Sequence, residues 1–176
     1  MRLLLGVTGS IAAYKAAELA SRFTKDGHEV DVIMTASATK LVTPVTFQTL
    51  TGRKVYTELF GELDVADVRH ISLARGADIA LVAPATANVI GKLAGGIADD
   101  MLTTVLTAFF PKPVYIAPAM NTAMYENPVV RENIIKLTRV GYSFIEPVEG
   151  RLACGDVGKG ALAGLDDIVE AVYGRF

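Results

Sequence analysis

Apolar residues run without alternation through Arg2-Leu3-Leu4-Leu5-Gly6-Val7-Thr8, the pattern of a strand covered on both faces. Gly9-Ser10 interrupt it, and Ala12, Ala13, Ala16, Ala17, Leu19 and Ala20 then set out a small-residue helix face reaching about Asp26, with Gly27 as its stop. From His28 to Thr35 the chain alternates polar with apolar and then turns wholly apolar, as a second strand does. Strand, helix and strand in that order predict a right-handed βαβ unit and therefore a parallel sheet.

The same rhythm continues. A helix is expected to open at Thr35-Ala36-Ser37-Ala38-Thr39 and to run through Leu41 and Phe47 despite Pro44. A short edge strand follows at 54–59, a polar loop at 60–69 ending at His70, and a short helix at 71–75. Residues 78–83 read as a central strand. Helical patterns at 88–93 and 99–109 are separated by Gly95-Gly96, and another strand occupies 114–117. Asn127-Pro128 opens a helix that ends at Gly141, and 142–145 is a strand. A glycine-rich loop spans 150–164. The closing helix, 165–173, has Asp166 and Asp167 in its first turn. This alternation predicts an α/β fold, a single doubly wound three-layer sandwich over residues 1–176.

One stretch is doubled. Leu81-Val82-Ala83-Pro84-Ala85-Thr86-Ala87-Asn88 is echoed by Val114-Tyr115-Ile116-Ala117-Pro118-Ala119-Met120-Asn121. Each proline lacks an N–H and is expected to end the ladder. Each asparagine then falls beyond the carboxyl end of a strand, the edge where open α/β sheets bind ligands. Taken singly, Asn88 and Asn121 are ordinary helix caps; as a matched pair they suit a planar polar ligand. Gly6-Val7-Thr8-Gly9-Ser10 places a helix N-terminus after strand one, either a phosphate site or a plain glycine turn with caps. It lacks the third glycine of the dinucleotide fingerprint. The second strand ends in Met34-Thr35, with Ser37 and Thr39 behind, in place of the acidic residue that holds an NAD ribose. A mononucleotide such as FMN fits better.

Composition narrows the field. The chain is 51% hydrophobic with a net charge of −2, enough apolar surface for a core and for subunit contacts besides. It has no basic patch to receive nucleic acid and no run near the roughly 18 apolar residues of a membrane span; no membrane partner and a cytoplasmic location are expected. One cysteine and two histidines argue against disulfides and against a metal site. Cys154 lies in the charged, glycine-rich Arg151-Leu152-Ala153-Cys154-Gly155-Asp156-Val157-Gly158-Lys159-Gly160. That setting suits a reactive thiol on a lid, with Arg151 and Lys159 favouring thiolate or holding an anionic substrate; an inert thiol is the alternative. His70 is a capping or surface residue unless a substrate brings a proton to it.

Gly9-Ser10-Ile11-Ala12-Ala13-Tyr14-Lys15, the His70 segment, Pro84-Ala85-Thr86-Ala87-Asn88, Gly95-Gly96-Ile97-Ala98-Asp99-Asp100, Pro118-Ala119-Met120-Asn121 and Leu152-Ala153-Cys154-Gly155-Asp156 occur in this order. Together they resemble the homo-oligomeric flavin-containing cysteine decarboxylases over nearly the whole chain, and within them the phosphopantothenoylcysteine decarboxylases of coenzyme A biosynthesis. The resemblance implies a flavodoxin/Rossmann-like fold assembled into trimers, or dodecamers of four trimers, with FMN between subunits. It also implies roles. Ser10 and Ser37 would contact the FMN phosphate. Thr86, Ala87 and Asn88 would line the isoalloxazine, and Gly9, Ile11, Val89 and Met120 complete the cofactor-binding set. His70 would be catalytic, Asn121 would bind the substrate carboxylate, and Cys154 would act as proton donor from a flap.

The implied reaction converts 4′-phosphopantothenoylcysteine to 4′-phosphopantetheine and CO₂. Direct loss of CO₂ would leave an unstabilised carbanion, whereas prior oxidation of CH₂–SH to a thioaldehyde gives the breaking bond's electrons an acceptor. The flavin then returns the electrons, so no nicotinamide is needed. Relatives that oxidatively decarboxylate the C-terminal cysteine of a peptide stop at the enethiol and need no flap cysteine. A third possibility is a flavin-binding regulatory protein without catalysis. Three positions depart from the usual pattern: Ala161 stands where many bacterial members have an arginine, Gly164 where they have an acid, and Tyr125 where a tryptophan is frequent. In many bacteria this domain is fused to a ligase, so the chain is expected to be either a free-standing enzyme or the first part of a bifunctional one.

Overall fold

The computed structural model describes residues 1–60, 68–151, 155 and 157–174. The chain begins with β1 (Arg2–Val7), α1 (Ala13–Lys25) and β2 (Glu29–Met34), followed by a 3₁₀ turn at Ala38–Lys40. Next come α2 (Pro44–Thr51), β3 (Val55–Tyr56), α3 (Arg69–Gly76), β4 (Ile79–Ala85), α4 (Ala87–Gly95), α5 (Met101–Thr107) and β5 (Val114–Pro118). The last part contains α6 (Thr122–Glu126), α7 (Pro128–Arg139), β6 (Ser143–Phe144), β7 (Val148–Arg151), β8 (Val157–Ala161) and α8 (Leu165–Tyr173). Strands β1 to β6 form one parallel sheet in the order β3-β2-β1-β4-β5-β6, and β7 and β8 pair antiparallel as a separate ribbon. That order reverses direction between β1 and β4, the crevice where doubly wound sheets take their ligands. The expected α/β sandwich of Rossmann type is the fold observed.

Unbroken apolar runs in β1 and β4 reflect two cores. Leu3, Leu5 and Val7 face a core with α1 and α8, while Leu4 packs on the opposite side with α3, α4, α5 and α7. Gly6 belongs to the second face. A Cβ there would lie 2.6 Å from the Leu102 side chain, so its absence lets α5 pack directly on β1. The one carboxylate in the middle of a central strand, Asp31, is buried and held by the Nε of Arg2 at 2.7 Å and of Arg53 at 2.8 Å, as a buried charge must be.

Three expected elements differ. The single helix through Pro44 is two pieces: a 3₁₀ turn and then α2 with Pro44 in its first turn. Proline lacks the N–H that a continuing helix requires, and at the first turn that N–H has no partner anyway. Pro84 does not end β4. The strand continues to Ala85, which pairs with Pro118 after a register shift between Val82 and Ala85. The Gly150 to Gly164 loop is largely the β7–β8 ribbon, since alternate glycines permit close pairing that hydrophobic periodicity does not reveal.

The Gly95-to-Asp100 motif is turn chemistry. Gly96 takes the left-handed conformation, with φ 69°, that closes α4. Asp100 accepts the Thr103 N–H at 2.8 Å while Thr103, itself fully buried, returns its side chain to the Asp100 N–H, a reciprocal cap on α5. Burial pushes the Asp100 carboxyl upward, but donors from Thr103 and Lys92 outweigh it and hold it below the ordinary carboxylate range. A depressed carboxylate stabilises the fold above that range and loses its contribution as the pH falls below it. Asp100→Ala is expected to cost about 1–2 kcal/mol in urea denaturation, and Asp100→Asn to flatten the acid limb of stability against pH.

Candidate active site

The strand ends at the β1/β4 switch meet in a cavity of about 510 Å³, within the range of small-ligand pockets. Its first wall is the turn into α1, from Gly9 and Ser10 to Tyr14 and Lys15. Here Ser10 Oγ accepts the Ala12 N–H at 3.4 Å, and Ser10 O accepts the Ala13 N–H at 2.8 Å, so the turn is closed before the helix starts. α1 begins at Ala13, one residue after the first alanine of the predicted face. A Cβ on Gly9 would lie 2.4 Å from Ser37 Cβ. Glycine at that point lets the segment after β2 approach, so Ser10 and Ser37 stand on neighbouring turns. Ser37 itself does not line the cavity.

The second wall is the start of α4. Thr86 is its cap, accepting the Val89 N–H at 3.4 Å. Asn88 is therefore not the cap; it lies in the first turn of α4, exposed, and lines the cavity beside Thr86 and Ala87. Val89 is 2% exposed and belongs to the core behind that wall. The third wall comes from Ala119, Met120, Asn121 and Met124. Asn121 caps α6 through Oδ1, which accepts the Ala123 N–H at 2.8 Å. The cap orients the amide, so the end suited to a carboxylate is the NH₂ donor.

The two walls on β1 and β4 are joined by a residue that sequence reasoning passed over. Thr8, 1% exposed, donates its hydroxyl to Pro84 O at 2.7 Å and accepts the Thr86 N–H at 3.0 Å. Its signal was weak: one hydroxyl after an apolar strand, where a buried partner has to be found in the tertiary fold. The fourth wall, Gly160, Ala161 and Leu162, falls in the segment read as a lid, whose pairing as a ribbon up to Ala161 the sequence did not reveal. Gly160 O accepts the Met120 N–H at 3.0 Å, and a Cβ on Gly160 would sit 2.2 Å from Met120 O, so only glycine allows this approach.

Not every expected site residue arrives. His70 is in the first turn of α3, partly exposed, and does not line the cavity. Lys112 Nζ fastens the far end of that helix by donating to Ala74 O, Arg75 O and Ala77 O at 2.7 to 2.9 Å. Lys159, expected to serve a thiolate or an anionic substrate, instead donates to Glu146 Oε2 at 2.8 Å. Cys154 lies outside the described residues. Among the described residues no group of His, Cys, Asp or Glu could hold a metal ion.

Residues 1–176 match the Flavoprotein family. The chain belongs to that family. It is 54% identical over 174 residues to the coenzyme A biosynthesis bifunctional protein CoaBC of Bacillus subtilis (strain 168), covering 99% of this chain and 43% of that one. It is 48% identical over 172 residues to a probable phosphopantothenoylcysteine decarboxylase of Streptococcus mutans serotype c, covering 97% and 96%. The chain thus spans under half of the first relative and nearly all of the second. Among solved structures, a PPC decarboxylase mutant complexed with pantothenoylaminoethenethiol superposes with a TM-score of 0.86 at 36% identity, over 97% of this chain and 95% of that one. The FMN-dependent cysteine decarboxylase SpaF does so with a TM-score of 0.84 at 32% identity, over 97% and 94%.

Thr8→Val removes the side-chain partner of the buried Pro84 carbonyl and of the part-buried Thr86 N–H. It is expected to lower stability by about 1–3 kcal/mol in chemical denaturation, whereas Thr8→Ser, which keeps the hydroxyl, stays near the parent.

Proposed function

We propose that this chain catalyses the FMN-dependent decarboxylation of 4′-phosphopantothenoylcysteine to 4′-phosphopantetheine and CO₂. One observation carries the reading: a single cavity combines a helix N-terminus, an apolar middle and two asparagines, Asn88 and Asn121. The names of the relatives at 54% and 48% identity support it.

The donor set fits FMN. Gly9, Ser10 and Ile11 line the cavity at the start of α1, where the Ser10 hydroxyl and the partial positive charge of the helix N-terminus favour a phosphate, with Ser37 behind them. Ala87, Met120 and Leu162 offer apolar surface to a ring, and Thr86 and Asn88 offer polar groups to its edge. Bound there, FMN supplies a two-electron acceptor that makes loss of CO₂ feasible and later returns the pair. The protein's own part is positioning and proton transfer. Asn121 holds the substrate carboxylate through its NH₂, His70 moves a proton at its imidazole, and Cys154 delivers the last proton from its Sγ.

His70 reaches this cavity in a homo-oligomer, a trimer or a dodecamer of trimers, in which FMN lies between subunits. The cavity mouth supports this: Ile11 is 62% exposed, Tyr14 63% and Met124 49%, an apolar rim of the kind that oligomers cover. The location is cytoplasmic, in keeping with a small-molecule substrate; among the described residues no helix is long and apolar enough to cross a membrane.

Purified protein is expected to carry flavin and to release CO₂ with a saturated thiol as product; a colourless protein that FMN does not reconstitute overturns the reading. His70→Asn is expected to keep the flavin and lose at least about a hundredfold in rate. Co-refolding inactive His70→Asn with inactive Asn121→Ala should restore measurable turnover if each site draws on two subunits; mixtures as inactive as their components refute the shared site.

A further inference from the structure

Strand β8 is held to the site by a carboxylate that serves two masters. Glu146 Oε2 accepts the Tyr125 hydroxyl at 2.9 Å and the Lys159 ammonium at 2.8 Å. Tyr125 is 2% exposed, on α6, and its N–H donates to Asn121 O at 2.9 Å. Lys159 lies between the two glycines of β8 that approach the site most closely. Gly158 faces Thr122, where a Cβ would come within 2.4 Å of Oγ1, and Gly160 O receives the Met120 N–H at 3.0 Å. Both cations near the Tyr125 ring, Arg131 at 5.1 Å and Lys159 at 5.8 Å from its centroid, hold the ring from its faces.

An exposed Lys–Glu pair by itself contributes little. This one differs because its acceptor oxygen is shared with a phenol whose ring is buried in the core, so the ion pair is anchored at one end. The Glu146 carboxyl is accordingly held low, first by Lys159 and against some desolvation, while desolvation and then Glu146 push the Tyr125 hydroxyl up. The shared oxygen connects α6, which Asn121 caps, to β8, which supplies Gly160 and Ala161 to the cavity wall. The two elements meet on either side of Asn121.

We propose that Tyr125, Glu146 and Lys159 form a clasp of positioning residues that sets β8 against Met120 and Asn121 and so fixes the width of the substrate end of the cavity. That Asn121 is the substrate end rests on the function proposed above; the clasp itself does not. The Met120 amide reports it directly, because its hydrogen bond crosses from the site to β8. In FMN-loaded protein, Lys159→Met and Tyr125→Phe are each expected to speed hydrogen exchange at Met120 about tenfold, the loss of one hydrogen bond to a charged group. Exchange at Leu5 and Val82 in the central strands and flavin content should be unchanged, and Lys159→Arg should restore protection. KM for 4′-phosphopantothenoylcysteine should rise about tenfold, with kcat changing less. Unchanged exchange at Met120 in both variants overturns the clasp, as does equal acceleration at Leu5, which would mean general loosening. If the parent protein binds no FMN or releases no CO₂, the functional reading falls while the exchange result still decides the clasp.

Discussion

The hydroxyl of Thr8, sealed between the ends of β1 and β4, makes two hydrogen bonds of opposite sense: it donates to Pro84 O and accepts from the Thr86 N–H. A serine or threonine hydroxyl can do both at once, which an apolar residue of the same shape cannot. The Pro84 carbonyl it serves is buried, so that group depends on a partner within the fold. The consequence is geometric. The turn into α1 and the turn into α4 are fixed relative to each other at the point where the sheet reverses direction, and the cavity between them takes its shape from that distance. Ser10, Thr86 and Asn88 face a common space because of it.

Around this strut the cavity divides into polar and apolar parts. The polar groups Ser10, Thr86, Asn88 and Asn121 stand at or beside helix beginnings, and the apolar lining is shared by helix starts at Ile11 and Ala87, by Ala119 and Met120 after β5, and by Ala161 and Leu162. The division suits a cofactor with an anionic tail and a flat ring, and the proposed chemistry needs little else from the rim beyond an oriented amide at Asn121. Among the described residues no histidine or cysteine lines the cavity. His70 stands on α3, held by the Lys112 bonds at that helix's far end, and a second subunit is the source that the proposal assigns to it.

Much of the architecture was legible in the order of residues. Leu165–Tyr173 is helical over the span its pattern predicts, and the βαβ rhythm implied the parallel sheet. The failures have distinct causes. The helix was expected to run through Pro44 and the ladder to stop at Pro84, yet Pro44 opens a helix while Pro84 stays within a strand whose ladder shifts around it. The ribbon of β7 and β8 was invisible because Gly150, Gly158 and Gly160 carry no hydropathy signal. The Gly95-to-Asp100 segment, prominent as a family marker, proves to be a helix stop and a helix cap rather than part of the cavity wall.

What the sequence determined by itself is therefore local: which segments are strands or helices, which turns offer N–H groups, and which family the motifs resemble. Those properties depend on neighbours a few positions apart, and period and capping chemistry encode them. The tertiary structure decided which of these meet. Thr8 reaches Pro84 across 76 positions, and Gly160 reaches Met120 across the ribbon. Such contacts are set by strand order and by the space that glycine leaves free, and no short window of residues contains either.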